Sequence, residues 1–162
     1  MVKRSQAGFG LMLALFLLGL VAVSLAAAVL LENTQSRREK EMQLLFVGDQ
    51  YRRAIREYYL MSPGKPVLPT SVNDLLQDRR YPNVVRHLRE AYVDPLSGKP
   101  LELIRDPFSQ GIEGIASRAP GEPLKQDGFT PEDSSFKKSV SYSDWRFVFE
   151  PIDTSDAGLP TR

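Results

Sequence analysis

The chain lacks cysteine, has a single histidine and carries almost no net charge. Without cysteine it can form no disulfide, no catalytic thiolate and no cysteine-ligated metal site. One histidine, His87, cannot supply a multi-histidine metal centre. The formal net charge is +1 over 162 residues, so no broad basic surface indicates nucleic-acid binding. These absences exclude much enzyme chemistry before any motif is considered.

No combination of side chains predicts a catalytic or cofactor site. The serines have only His87 as a base, and a histidine between Arg86 and Arg89 is more simply a packing or solvated residue. No glycine-rich phosphate loop follows a predicted strand. Arg79 and Arg80, next to Tyr81, can contact an anionic partner, but paired arginines are usually a solvated surface. We therefore expect no enzyme activity, no cofactor and no bound metal.

A long apolar run near the N-terminus is the strongest signal in the sequence. Residues 9–31 contain no charge, and Ser24 is their one polar side chain. As a helix this run spans roughly 35 Å, which exceeds the bilayer core of about 30 Å. Lys3 and Arg4 precede it and should remain cytoplasmic, which places the rest of the chain outside. The run therefore predicts a transmembrane helix.

Two other interpretations of this segment stay open. In the first, residues 1–28 are a secretory signal that is cleaved after Ala28 to release a secreted enzyme. The length of the apolar run and its continuation to Leu31 count against that interpretation. In the second, the segment is an uncleaved single-pass inner-membrane anchor that carries a periplasmic binding or scaffold domain.

A third interpretation starts from the residues just before the apolar run. Lys3-Arg4-Ser5-Gln6-Ala7-Gly8-Phe9 resembles the leader of type IV prepilins and type II secretion pseudopilins. The resemblance implies a leader of residues 1–8, cleavage between Gly8 and Phe9 by a prepilin peptidase, and methylation of the new N-terminal Phe9. The helix of residues 9–31 is then retained. The implied partners are the inner membrane, the peptidase, other pilin-like subunits and the assembly platform.

Position 13 departs from the pattern of that family. Its members usually have glutamate at the fifth mature position, where the carboxylate pairs with the N-terminal amine of a neighbouring subunit. A buried ammonium needs an opposite charge, and Leu13 cannot supply one. Tip-located minor pseudopilins also lack this acid, so Leu13 favours a minor or specialised subunit over a repeating one.

The helix is predicted to continue beyond the apolar run as an amphipathic segment, residues 32–61. Apolar residues recur there at spacings of three and four, at Leu44, Val47, Tyr51, Ile55 and Tyr58. Ser62-Pro63-Gly64 ends the pattern. Two helices hinged near Asn33 are the alternative.

Residues 62–150, called the head below, are predicted to form a small α+β domain. Ser71, with Asp74 three residues later, is typical of the start of a short helix that reaches Leu76. Asn83 predicts the start of a second short helix. Residues 101–105 and 112–117 predict a hairpin. In a third strand, residues 143–150, the aromatic residues share one face that should cover the core: Trp145, Phe147 and Phe149.

The order of a long helix, turns and three antiparallel strands resembles the heads of pseudopilins. The turn before the first strand, Asp94-Pro95-Leu96-Ser97-Gly98, also resembles a turn of that family. Major pseudopilins often bind calcium in a late acidic loop. The corresponding loop, residues 119–133, shows no recognisable calcium-ligand spacing, so we expect a solvated loop whose acids are Glu122, Asp127, Glu132 and Asp133. Residues 151–162 are expected to be a flexible tail. The sequence as a whole predicts a filament subunit, without indicating whether it serves secretion, a pilus or DNA uptake.

Overall fold

The computed structural model describes residues 6–151, except for the side chains of residues 6–8 and 25–33. The predicted leader, residues 1–8, and the predicted tail, residues 151–162, therefore lie almost entirely outside the described residues. The chain divides into two units, Met1–Glu39 and Lys40–Arg162.

One long helix, α1, covers Gln6–Leu60. Its sequence has no proline, and charged and polar residues after position 31 do not interrupt it. The prediction of one helix from Phe9 to about Met61 is therefore confirmed, and the alternative of two helices near Asn33 is not.

The last part of α1 forms one wall of the core in the second unit. The five apolar residues whose spacing predicted an amphipathic helix are all buried: Leu44, Val47, Tyr51, Ile55 and Tyr58. Residues three and four apart lie on one helix face, so a single stripe faces inward. The periodicity of the sequence thus identified the buried face correctly.

A three-stranded antiparallel sheet covers that face. Strand β1 is Glu102–Arg105, β2 is Ile112–Ala116 and β3 is Arg146–Val148, in the order β1-β2-β3. Ile115 on the central strand pairs with Leu103 on one side and with Phe147 on the other. The predicted α+β class, with a long N-terminal helix and three antiparallel strands, is therefore confirmed.

Gly48 allows the sheet to approach α1 closely. A Cβ atom at this position would overlap the ring of Phe147, which is fully buried. Trp145 is also fully buried, and Phe149 is partly buried against the same core. The predicted aromatic face does cover the core. Glycine is required at position 48, where the Phe147 ring meets α1.

The predicted short helix at Ser71 forms as α2, Val72–Leu76. The Asp74 carboxylate accepts a hydrogen bond from the Ser71 backbone N–H at 2.9 Å. This is the reciprocal half of a capping box, which satisfies a donor that the first helical turn leaves unpaired.

The predicted second helix at Asn83 is wrong. Val85 instead forms an antiparallel bridge with Asp78. The Leu75 carbonyl accepts the backbone N–H groups of both His87 and Leu88, each at 2.9 Å. These long-range bonds hold the segment in a bent, non-helical path at the end of α2, so a local helix does not form.

The last predicted strand is shorter than expected. Tyr142–Asp144 forms a 3-10 helix, because Asp144 accepts the Ser141 N–H at 3.0 Å and turns the chain. The loop predicted at residues 119–133 likewise overlaps a 3-10 helix at Pro131–Phe136. That turn stacks Phe136 on Trp145, with ring centroids 5.7 Å apart.

Candidate functional site

The described part of the first unit presents a continuous apolar surface. Phe9 is 73% exposed and Leu13 is 49% exposed. The other large apolar side chains of this stretch are also half or more exposed: Leu11, Met12, Leu15, Phe16, Leu17, Leu18, Leu20, Val21 and Val23. A helix that is apolar all round is expected to be covered by lipid or by other helices.

Gly8, Phe9 and Leu13 all lie within α1. Residues four apart in a helix are neighbours on one face, so position 13 lies one turn beyond position 9. The helix therefore places the predicted assembly residue Leu13 beside the predicted mature N-terminus. The side chains that precede Phe9 are outside the described residues.

Among the residues described, no helix combines the length and the apolarity that crossing a membrane requires. The predicted transmembrane segment, residues 9–31, extends into residues 25–31, whose side chains lie outside the described part.

In the second unit, Asp78 is the centre of a buried ionic network. Its side chain is fully buried and accepts bonds from Arg80 Nε at 2.9 Å and Arg80 Nη2 at 2.6 Å. His87 Nε2 lies 3.1 Å from the same carboxylate. The Arg80 guanidinium holds the pKa of Asp78 well below its usual range, and bonds from the Arg80 N–H and from His87 add to that effect.

Arg80 also connects the segment that follows α2 to the C-terminal end of α1. It donates hydrogen bonds to the Tyr58 carbonyl at 2.9 Å and to Ser62 Oγ at 2.6 Å. Its guanidinium carbon lies 3.5 Å from the centre of the Tyr58 ring. Burial raises the pKa of Tyr58, and the nearby Arg80 charge partly offsets that rise. The expectation of a solvated arginine pair is therefore wrong for Arg80, although Arg79 is exposed.

His87 is a packing residue and not a solvated one. Its side chain is only 1% exposed, and its ring lies edge-on to Tyr58 at 5.6 Å. Its Nδ1 is 3.8 Å from a Glu57 carboxylate oxygen. Both ring nitrogens therefore face carboxylates.

Glu41 forms a second buried network that the sequence did not reveal. Its carboxylate accepts the Tyr142 hydroxyl at 2.6 Å and the backbone N–H groups of Leu124 at 2.6 Å and Lys125 at 3.1 Å. These bonds hold the loop after β2 against α1. Glu41 precedes Leu44 by three positions, so helical spacing could have placed it on the buried face.

Asp94 and Ser117 form a third internal network. Asp94 accepts the Ser117 hydroxyl at 2.8 Å, the Ser97 hydroxyl at 2.6 Å and the Leu96 N–H at 2.9 Å. Both Asp94 and Ser117 are buried. The pair ties the turn before β1 to the end of β2, and its hydroxyl and carboxylate groups bond to each other.

The acids of the loop at residues 119–133 are engaged with basic side chains in two places. Asp133 and Glu132 pair with Arg52 at 2.7 and 3.3 Å, and Asp127 pairs with Lys137 at 3.1 Å. The Gly128 N–H and Lys137 lower the pKa of Asp127. Within the described residues, no group of three or more histidine or acidic side chains is arranged to hold a metal ion.

In the networks of Asp78, Glu41 and Asp94, the polar groups bond to other groups of the same chain. The apolar side chains of the first part of α1 are instead exposed. No protein-family model, no curated protein and no solved structure matches this chain.

Proposed function

We propose that the chain is a structural subunit of a pilus-like filament, either a type II secretion pseudopilus or a type IV pilus-like fibre. A prepilin peptidase would cleave after Gly8 and leave Phe9 as the methylated N-terminus. Residues 9–31 would hold the subunit in the bacterial inner membrane, with the head in the periplasm, until assembly. The supporting observation is the outward apolar surface of α1, directly after a basic leader that ends in Gly8.

Filament assembly gives this surface a physical role. A helix that is apolar on all sides can be covered by lipid or by a bundle of similar helices. Gly10 and Gly19 add short gaps in the side-chain layer, with open space around both positions. Small residues let neighbouring helices approach closely, which strengthens packing between them. An assembly platform would therefore exchange lipid contacts for contacts between subunits.

The pilin-like assignment of the head is part of the same proposal. Its support is the order of a long helix, an Asp94 turn and three antiparallel strands. The networks of Asp78, Glu41 and Asp94 would give the head a fixed shape to display on the outside of the filament.

The first test is the intact mass and N-terminal sequence of the protein purified from its native membrane. We expect a chain that begins at methylated Phe9. A chain that begins at Met1 would contradict the proposal and leave an uncleaved membrane anchor with a periplasmic domain. A chain that begins near Val29 would contradict it in favour of a secreted protein.

The role of position 13 can be tested by Leu13→Glu. The new carboxylate would lie one turn from Phe9 and could neutralise the N-terminal amine of a neighbouring subunit. We expect the subunit content of the filament to rise, as measured by quantitative immunoblotting of sheared filaments.

Leu17→Glu is the matched control. It adds the same charge to the same apolar helix, but two turns from Phe9 instead of one. Leu17 is also exposed in the described chain. If Leu13→Glu leaves filament number, length and subunit content unchanged, the missing acid does not define the role of this subunit.

A further inference from the structure

Three arginines line one open cavity in the head. Arg79, Arg86 and Arg89 surround a space of about 660 Å³ beside α2. All three side chains are exposed. The name "arginine pocket" is used below for this cavity. Its wall also offers amide and hydroxyl groups from Asn73, Gln77 and Ser71.

The backbone fixes the outward direction of these arginines. Asp78 and Val85 are bridged as antiparallel partners, and the Asp78 side chain points into the protein. Residues next to a bridged pair project to the opposite face, which places Arg79 and Arg86 outside. The bonds from His87 and Leu88 to the Leu75 carbonyl hold the segment that carries Arg86 and Arg89.

None of the three has a hydrogen bond or an ion pair with any other residue of the described chain. The neighbouring Arg80 pairs with Asp78 and also bonds to Tyr58 and Ser62. Arg52 and Arg118 pair with carboxylates as well. Three unpaired guanidinium groups around one space repel one another, and an anion placed between them would relieve that repulsion. Guanidinium groups bind carboxylates in a planar, two-pronged geometry.

Two carboxylates on the same wall restrict which anion fits. Burial would raise the pKa of Asp74, but hydrogen bonds from Thr70 and Ser71 lower it overall, so this group stays ionised. Glu90 is exposed at the same cavity. Fixed negative charges disfavour a compact dianion such as phosphate. An extended peptide whose single negative charges are spaced along the chain is disfavoured less.

We propose that the arginine pocket is the docking site for an acidic segment of a partner protein. Carboxylates of that segment would pair with Arg79, Arg86 and Arg89, and its backbone would face Asn73 and Gln77. This inference does not depend on filament assembly, because every residue it uses lies in the head.

The probe is a fluorescein-labelled peptide of six glutamates, with six glutamines as the uncharged comparison. Binding to the detergent-solubilised full chain is followed by fluorescence anisotropy. We expect binding of the acidic peptide alone, which weakens with added salt because the pairs are exposed. The triple variant Arg79→Gln, Arg86→Gln, Arg89→Gln should bind roughly tenfold more weakly.

The control triple variant, Arg56→Gln, Lys65→Gln, Lys99→Gln, removes the same charge from exposed positions elsewhere and should bind within about twofold of the native chain. A third variant changes the pocket arginines to lysine. It keeps the charge but loses the two-pronged geometry, so an intermediate affinity is expected. Equal losses in both glutamine variants would mean nonspecific charge attraction and would overturn the proposal. Binding of inorganic phosphate at the pocket, without binding of the peptide, would overturn the choice of a peptide ligand.

Discussion

Asp78→Ala should cost the head about 3–5 kcal/mol of unfolding free energy. The substitution leaves the Arg80 guanidinium without its carboxylate, and Arg80 is largely buried between Tyr58 and Ser62. It also removes the acceptor that faces His87 Nε2. Leaving one member of a buried pair uncompensated is far more costly than removing both members.

The measurement is urea unfolding of the full chain in detergent, followed by tryptophan fluorescence. The chain has one tryptophan, Trp145, which is fully buried in the head, so the signal reports on the head and not on the apolar part of α1. Asp106→Ala is the control, because Asp106 also caps a turn but is only partly buried, and its hydrogen bond to the Ser109 N–H is exposed. The control should lose no more than about 1 kcal/mol.

A double variant separates the ionic network from simple packing. Asp78→Leu with Arg80→Met replaces the buried pair by apolar side chains and should recover most of the lost stability. A loss below about 1 kcal/mol in Asp78→Ala would contradict the central role of this network.

At low pH the difference in unfolding free energy between the native chain and the Asp78→Ala variant should become smaller. The folded pKa of Asp78 lies below the unfolded value of about 3.9, so the folded state favours the ionised form. The contribution of the carboxylate is fully present above about pH 5 and is lost as the pH falls through the folded pKa. Unfolding free energies of the two chains should therefore converge towards low pH.

The buried face of α1 and the main strands could be predicted because both depend on short periodic spacings of apolar residues. Spacings of three and four at Leu44, Val47 and Tyr51 place one face inward whatever the rest of the chain does. The Ser71 cap was also predictable, because its partner Asp74 is only three residues away.

The features that sequence reasoning missed depend on contacts between distant residues. Glu41 meets Tyr142, and Arg80 meets Tyr58 and Ser62, at separations that no local pattern encodes. At Asn83 the local capping signal was present, but the bonds to the Leu75 carbonyl stabilised a non-helical path instead. The exposed arginines of the pocket were visible in sequence, but the distinction between Arg79 and Arg80 required the bridge at Asp78.

The candidate assembly site was predicted from a family resemblance and not from a periodic pattern. Gly8, Phe9 and Leu13 were identified through resemblance to prepilins, and the structure adds their place on one helix. The apolar character of that helix follows from composition alone, whereas cleavage is a reaction with another protein.

Gly8→Ala should abolish maturation if a prepilin peptidase cleaves after this residue. Glycine has no side chain, so the substitution places a methyl group directly beside the scissile bond. A pocket shaped for glycine discriminates against one extra methyl group by roughly tenfold or more, and we expect the unprocessed chain to accumulate. Quantitative mass spectrometry of the membrane fraction would report the ratio of chains that begin at Met1 and at Phe9.

Gly10→Ala is the matched control, because it makes the same change two residues beyond the cleavage point. A Cβ atom at Gly10 meets no other group within 4 Å, and alanine favours a helix over glycine by about 1 kcal/mol. This variant should therefore mature normally, and a defect confined to Gly8→Ala cannot arise from a weakened helix. Normal maturation of Gly8→Ala would remove the prepilin assignment and leave the outward apolar helix as a simple membrane anchor.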